Sequence, residues 1–204
     1  MTSKEANAGL DDTTAYARGV PETFLLIDGE NIDATLGAGV LGRRPAPEER
    51  PRWDRVRDYA RAVWDQPVRG LFFLNASGTV PMAFVQALTA LDYRPVLLSG
   101  PAEVKVVDVA IQRTIEALTE RGHGDLLLAS HDGDFAPQVA ALVLSNPGRR
   151  IGVIGFREMT SGLLTEIEGV ELFDLEDDVG AFTVSLPRIR VVPIEQFDPW
   201  TLLA

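Results

Sequence analysis

Six short apolar runs alternate along this chain with segments of helical period, and no other feature restricts the fold as much. The runs fall at 23–28 (TFLLID), 68–75 (VRGLFFLN), 94–98 (RPVLL), 125–129 (DLLLA), 150–155 (RIGVIG) and 170–174 (VELFD). Their cores are nearly continuous in Leu, Ile, Val and Phe, which is the pattern of strands buried on both faces, not of strands with one wet face. Between them, helices are predicted at 30–37, 52–65, 79–91, 103–121, 134–145 and 160–168, with a Gly/Pro/Arg loop at 38–51. Such alternation builds a parallel sheet with helices on both sides. The expected class is α/β, a doubly wound three-layer α/β/α fold with a mostly parallel sheet of five or six strands.

At 204 residues, 46% hydrophobic and 24% charged, the chain is expected to form one globular domain over 21–178. Residues 1–20 are small, polar and aperiodic, and read as a flexible leader. The stretch 179–204 carries Pro187, Pro193 and Pro199 and reads as an extended tail that packs across the domain or makes a homodimer contact. There is no cysteine, so thiolate metal sites and cysteine nucleophiles are excluded. No apolar run approaches a membrane span and the start lacks a signal-peptide pattern, so no membrane partner and a cytoplasmic location are expected.

The net charge of −11 argues against broad adhesion to polyanions, because nucleic-acid binders gain affinity by neutralising phosphates. Charge is uneven, however. Seven arginines lie between Arg43 and Arg61 against four acids. That segment is either a basic strip for a phosphate chain or, more simply, a solvated helix face with internal ion pairs.

Chemistry concentrates where strands end. Asp28 closes the first apolar run in FLLIDGENI, and Asp132 and Asp134 follow another in DLLLASHDGDF. Ligands of doubly wound sheets bind outside the carboxyl ends of the strands. Two unit charges about 4 Å apart repel by roughly 4 kcal/mol at a near-surface dielectric, so converging aspartates call for a cation or a shared proton. With oxygen ligands only, that cation is Mg2+ or Mn2+. Plainer roles exist for each: Asp28 as a helix N-cap, and Asp132-Gly133-Asp134 as turn chemistry with positive φ at Gly133. Asp108 sits beside the apolar face Val104, Val107, Ile111, Ile115 and Leu118 of the helix predicted at 103–121, with Lys105 one turn earlier; a surface Lys105–Asp108 pair is its plainer role. No nucleophile elbow, GxGxxG or GxxxxGK[ST] is present, so serine-hydrolase and common nucleotide-cradling chemistry are not expected.

IDGENI, KVVD and SHDGDF, in that order on alternating strands and helices, resemble the NYN branch of the PIN-like nuclease superfamily, including the LabA-like (DUF88) proteins. The resemblance spans residues 22–175. It implies sheet order 3-2-1-4-5 and an acidic pocket that holds Mg2+ or Mn2+ for hydrolysis of RNA phosphodiester bonds. By position it implies Asp28, Asp108, Asp132 and Asp134 as catalytic metal ligands, and Asn31, Lys105 and Ser130 as substrate-contacting residues. His131 falls where variation is expected. The partner implied is RNA, reached through the Arg43–Arg61 segment. The competing reading is a non-catalytic PIN-like adaptor for RNA or protein.

Overall fold

A computed structural model of the chain describes residues 21–189 and 194–203, the side chains of 196, 201 and 202 apart; the leader expected at 1–20 lies outside the described residues. All six predicted strands form: β1 (Thr23–Asp28), β2 (Val68–Asn75), β3 (Tyr93–Leu98), β4 (Asp125–Ala129), β5 (Ile151–Gly155) and β6 (Val170–Asp174). They make one parallel sheet of order β3-β2-β1-β4-β5-β6, the expected order with β6 added at the edge. Six α-helices join them: α1 (Gly29–Ala34), α2 (Trp53–Val63), α3 (Met82–Ala90), α4 (Val106–Arg121), α5 (Ala136–Ser145) and α6 (Gly162–Thr165).

Period-two alternation divides the apolar strand residues between two cores. On β1, Leu25 and Ile27 point to one face, with Ile32 of α1, Val56 and Ala60 of α2 and Leu88 of α3. Phe24 and Leu26 point to the other, against Val107, Ile111, Ile115 and Leu118 of α4 and Val139 and Leu142 of α5. Because both faces are covered, the strands need no polar side, which is why their sequences read as apolar runs.

Several boundaries differ from expectation. The segment after β1 does not become a loop at 38; α1 continues as a π-helical stretch, Thr35–Leu41, and ends at Gly42 in the left-handed conformation with φ +64°, a turn for which glycine carries no steric penalty. Helix α4 starts at Val106, not 103, because Val104 is taken up in a turn whose N–H reaches Pro101 O at 3.0 Å; Val104 is exposed and leaves the apolar face. The helix expected at 134 begins as a 3-10 turn, Gly133–Phe135, before α5. The one expected at 160–168 shortens to four residues, with Ser161 as its side-chain cap.

The chain beyond 178 is tied into the domain. Val179, Ala181, Phe182 and Leu186 are buried in the α1/α2 core. Ala181 O accepts from Arg52 N at 2.7 Å, and Arg55 Nη1 donates to the carbonyls of Gly180 and Phe182. Further along, Ile194–Gln196 and Pro199–Leu202 form short 3-10 turns.

Candidate metal centre

Strand order reverses between β1 and β4: the chain runs outward from β1 to β2 and β3, then returns to place β4 on the other side. The loops leaving these two strands therefore diverge and leave a crevice at their carboxyl ends. Asp28 is the last residue of β1, and Ser130, His131, Asp132 and Asp134 follow β4. Helix α4 supplies Asp108 from its first turn. A cleft of about 390 Å³ is lined by Asp28, Asn31, Lys105, Asp108 and Asp132, among others.

Three carboxylates converge. Asp108, Asp132 and Asp134 each present an oxygen within 4.8 Å of the other two. Oxygens of an octahedral Mg2+ shell stand about 3 Å apart when adjacent and about 4.2 Å when opposite, so the three side chains would close in by small rotations to share such an ion. An ammonium already sits among them: Lys105 Nζ lies 3.2 Å from Asp108 Oδ2 and 3.3 Å from Asp134 Oδ2. Those two hydrogen bonds raise the lysine pKa above its ordinary value. Two of the three carboxylates thus already accept positive charge, and the all-oxygen donor set suits a hard divalent cation.

Asp28 stands apart from the three. Its side chain is 2% exposed, and both oxygens are engaged by the protein: Oδ1 accepts from Asn31 N at 3.2 Å and Oδ2 from Ser130 Oγ at 3.1 Å. The first bond is the N-cap role that the sequence also allowed. Burial pushes the Asp28 carboxyl up to about 6, the two hydrogen bonds oppose that, and the charges of Asp108 and Asp132 add to it. Ser130 Oγ also accepts from Asp132 N at 3.2 Å, so one hydroxyl joins the end of β1 to the turn after β4.

That turn is braced from both sides. Asp132 Oδ1 accepts from Asp134 N at 2.9 Å, and Gln112 of α4 donates to Asp134 O at 3.1 Å. The Asn31 amide oxygen accepts from His131 N at 2.8 Å and faces His131 Nδ1 at 3.0 Å. His131 Nε2 accepts from Phe156 N at 2.8 Å, which assigns the ring proton to Nδ1 as donor to Asn31. Burial pushes the histidine down to about 4, as a neutral strut requires. Of the residues that the resemblance placed against substrate, Asn31 lines the cleft with its side-chain oxygen on His131, and the Ser130 hydroxyl joins Asp28 to Asp132 N. His131 is the supporting residue that sequence reading passed over; its one signal was a histidine flanked by the motif's own acids.

Neither motif glycine owes its presence to positive φ. A Cβ on Gly29 would meet Phe72 Cε1 at 2.4 Å, and one on Gly133 would meet Ser161 Oγ at 2.5 Å. Both are close-approach glycines that let neighbouring elements pack against the site.

The arginine-rich segment is largely satisfied internally. Arg43 pairs with Glu49, Arg50 with Asp33, Arg52 with Asp54 and Arg61 with Asp92. Arg57 meets Asp58 and the Leu91 carbonyl. Arg44 has no carboxylate partner among the described residues.

No family model matches the chain, and no curated protein matches it. Among solved structures, it is similar to a protein of unknown function from Vibrio parahaemolyticus, at 19% identity and a TM-score of 0.59, over 78% of this chain and 95% of that one. At that identity the likeness carries the architecture alone: a doubly wound α/β/α domain.

Proposed function

We propose that the chain is a divalent-metal-dependent ribonuclease that hydrolyses RNA phosphodiester bonds at this cleft and works in the cytoplasm. One observation carries the reading: Asp108, Asp132 and Asp134 converge within 4.8 Å at the sheet's reversal point, with the Lys105 ammonium on Asp108 and Asp134. Repelling carboxylates are costly to gather without a cation to bind. The resemblance of IDGENI, KVVD and SHDGDF to the NYN nucleases supports the same conclusion.

Asp108, Asp132 and Asp134 would hold Mg2+ or Mn2+. When bound, the ion supplies Lewis-acid stabilisation of the phosphate and acidifies a water. The chain's own residues do the positioning. Ser130 and the Asp28 carboxylate fix the turn that carries Asp132, and Asn31 with His131 fixes it from the opposite side. The exposed Lys105 ammonium, beside Asp108 and Asp134, would contact a phosphate oxygen of the substrate. Water gives up a proton and adds to phosphorus, the P–O bond to the departing ribose oxygen breaks, and that oxygen takes up a proton from solvent to leave as a hydroxyl.

The rival reading, a non-catalytic adaptor, is favoured by the internal pairing of the 43–61 arginines and the net charge of −11. Cleavage of labelled single-stranded and structured RNA with Mn2+, Mg2+ or EDTA separates the two. Metal-dependent cutting that vanishes in an Asp132→Asn, Asp134→Asn double variant is the expected result. A folded protein that binds Mn2+ yet cuts no RNA would favour the adaptor.

A further inference from the structure

A second cavity adjoins the acidic cleft, and the two share Glu30 and Ala34 in their walls. It encloses about 620 Å³, within the range of small-ligand pockets. Its lining is chiefly apolar and aromatic, from Trp53, Phe72 and Phe84, with Arg44 and Arg50 also contributing. Phe72 is fully buried and fixed by edge contacts to Trp53 (4.9 Å, 88°) and Phe84 (5.5 Å, 85°). The flanking two rings are only half-buried. Their remaining surface is rigid, flat and apolar.

The charge at the site is mixed, with Arg44 and Arg50 against Glu30 and Asp33. In a chain of net charge −11, this cavity receives Arg44, which lacks a carboxylate partner among the described residues. It also receives Arg50, which is ion-paired at 2.7 Å with Asp33, a residue of the same lining, so Asp33 and Glu30 balance the two arginines and Arg44 is the cation left over for a phosphate. Glu30 Oε1 accepts from Asn75 N at 3.0 Å, which fixes a carboxylate on the shared wall where a second oxygen can accept from a ligand N–H. Aromatic walls, a spare cation and a fixed acceptor together match a nucleotide: a flat π-face, phosphate, and base-edge donors.

We propose that this cavity is a base-binding subsite for single-stranded RNA. One nucleobase enters against Trp53 and Phe84, a neighbouring phosphate lies on Arg44, and the strand continues past Glu30 to the aspartates. The assignment rests on the ribonuclease reading for the direction of the strand, but its ligand chemistry is independent of cleavage.

The test is direct binding of a fluorescein-labelled single-stranded ribo-oligonucleotide to the full chain in EDTA, by anisotropy. A strand of the same length and charge with abasic residues serves as comparison. The base-bearing strand is expected to bind about tenfold or more tightly. Phe84→Leu, which keeps apolar bulk and removes the ring, should abolish most of that preference. Arg44→Ala, at an exposed position, should weaken both strands alike and lower the salt dependence by about one unit of slope.

Equal binding of the two strands, absence of binding to either, or a preference that survives Phe84→Leu in a folded variant overturns the proposal. A preference lost with Phe84, in a protein that cuts no RNA under any metal condition, sustains the subsite and removes the nuclease. Metal-dependent cutting without base preference does the reverse.

Discussion

Lys105 Nζ reaches Asp134 Oδ2 at 3.3 Å from the opposite side of the cleft, across 29 positions of sequence, while holding Asp108 one turn along its own helix at 3.2 Å. A single ammonium therefore engages two of the three carboxylates that would hold a divalent ion. Ion and lysine compete for the same oxygens. Lys105→Met should tighten Mn2+ binding about threefold, since an exposed ion pair is weak and readily displaced, and should raise KM for RNA. Calorimetric titration with Mn2+ checks the first part; weaker Mn2+ binding in the variant would contradict the competition.

Ser130 is the hinge pin between β1 and the β4 turn, donating to Asp28 and accepting from Asp132 N. Ser130→Ala removes both bonds from a fully buried position without touching a metal-facing oxygen. Supporting residues of this kind typically contribute 10- to 100-fold, so Mn2+ affinity and RNA cleavage should each fall by roughly tenfold. Unchanged affinity in the folded variant would show that Asp132 needs no such support.

Two buried groups set opposing pH dependences. The folded chain keeps Asp28 protonated up to about 6, against an ordinary value of 3.8. Its contribution is present below pH 4 and is lost as the pH rises to 6, on the order of 3 kcal/mol. His131 stays neutral down to about 4 against an ordinary 6.5, so its contribution is present above 6.5 and is lost as the pH falls towards 4. Between pH 4 and 6 the two slopes cancel in part. Asp28→Asn, in EDTA, should leave the histidine slope alone, with stability rising steadily from pH 4 to 6.5. Urea unfolding midpoints at several pH values in this range check it, and a flat profile would refute the assignment.

Arg188 and Asp174 form a buried pair at 2.6 Å, each side chain 2% exposed, joined by Glu158 at 2.6 Å and Glu176 at 3.2 Å. Burial alone would raise the Asp174 carboxyl; the guanidinium and three backbone N–H donors bring it well below the usual range instead. Removing one partner of such a pair strands the other, at about 3–5 kcal/mol. Arg188→Ala should lower Tm by about 10 °C, measurable by calorimetry. A shift below about 2 °C would mean that water replaces the guanidinium.

Strand positions were readable because burial on both faces leaves runs such as FLLI and DLLL with no other stable use. Helix ends were less so. Val104 fits the α4 period and yet lies in a turn, since a period marks a face and says nothing about where hydrogen bonding starts. The convergence of Asp108 with Asp132 and Asp134 was legible by way of motif order. The division of labour among the acids was not: whether Asp28 faces an ion or caps a helix depends on Ser130, 102 positions away. Gly133 looked like a turn glycine because a steric demand from Ser161 leaves no local trace. For the arginines of 43–61 the simpler reading, internal ion pairs, covers Arg43–Glu49, Arg52–Asp54 and Arg57–Asp58, whereas the partners Asp33, Asp92 and the Gly180 and Phe182 carbonyls lie outside the segment and left no local trace.

The His131 ring stacks on Phe156 (5.4 Å, 15°), and Phe156 stacks on Phe182 (5.8 Å, 18°). The turn that carries Asp132 and Asp134 is thus backed by a ring from a segment synthesised well after it. On the ribosome, all the acids of the cleft emerge before Phe182 and Arg188 do. A nascent chain at that stage holds the carboxylates but lacks the aromatic backing behind the histidine that steadies them, so completion of the site is timed to a late point in translation.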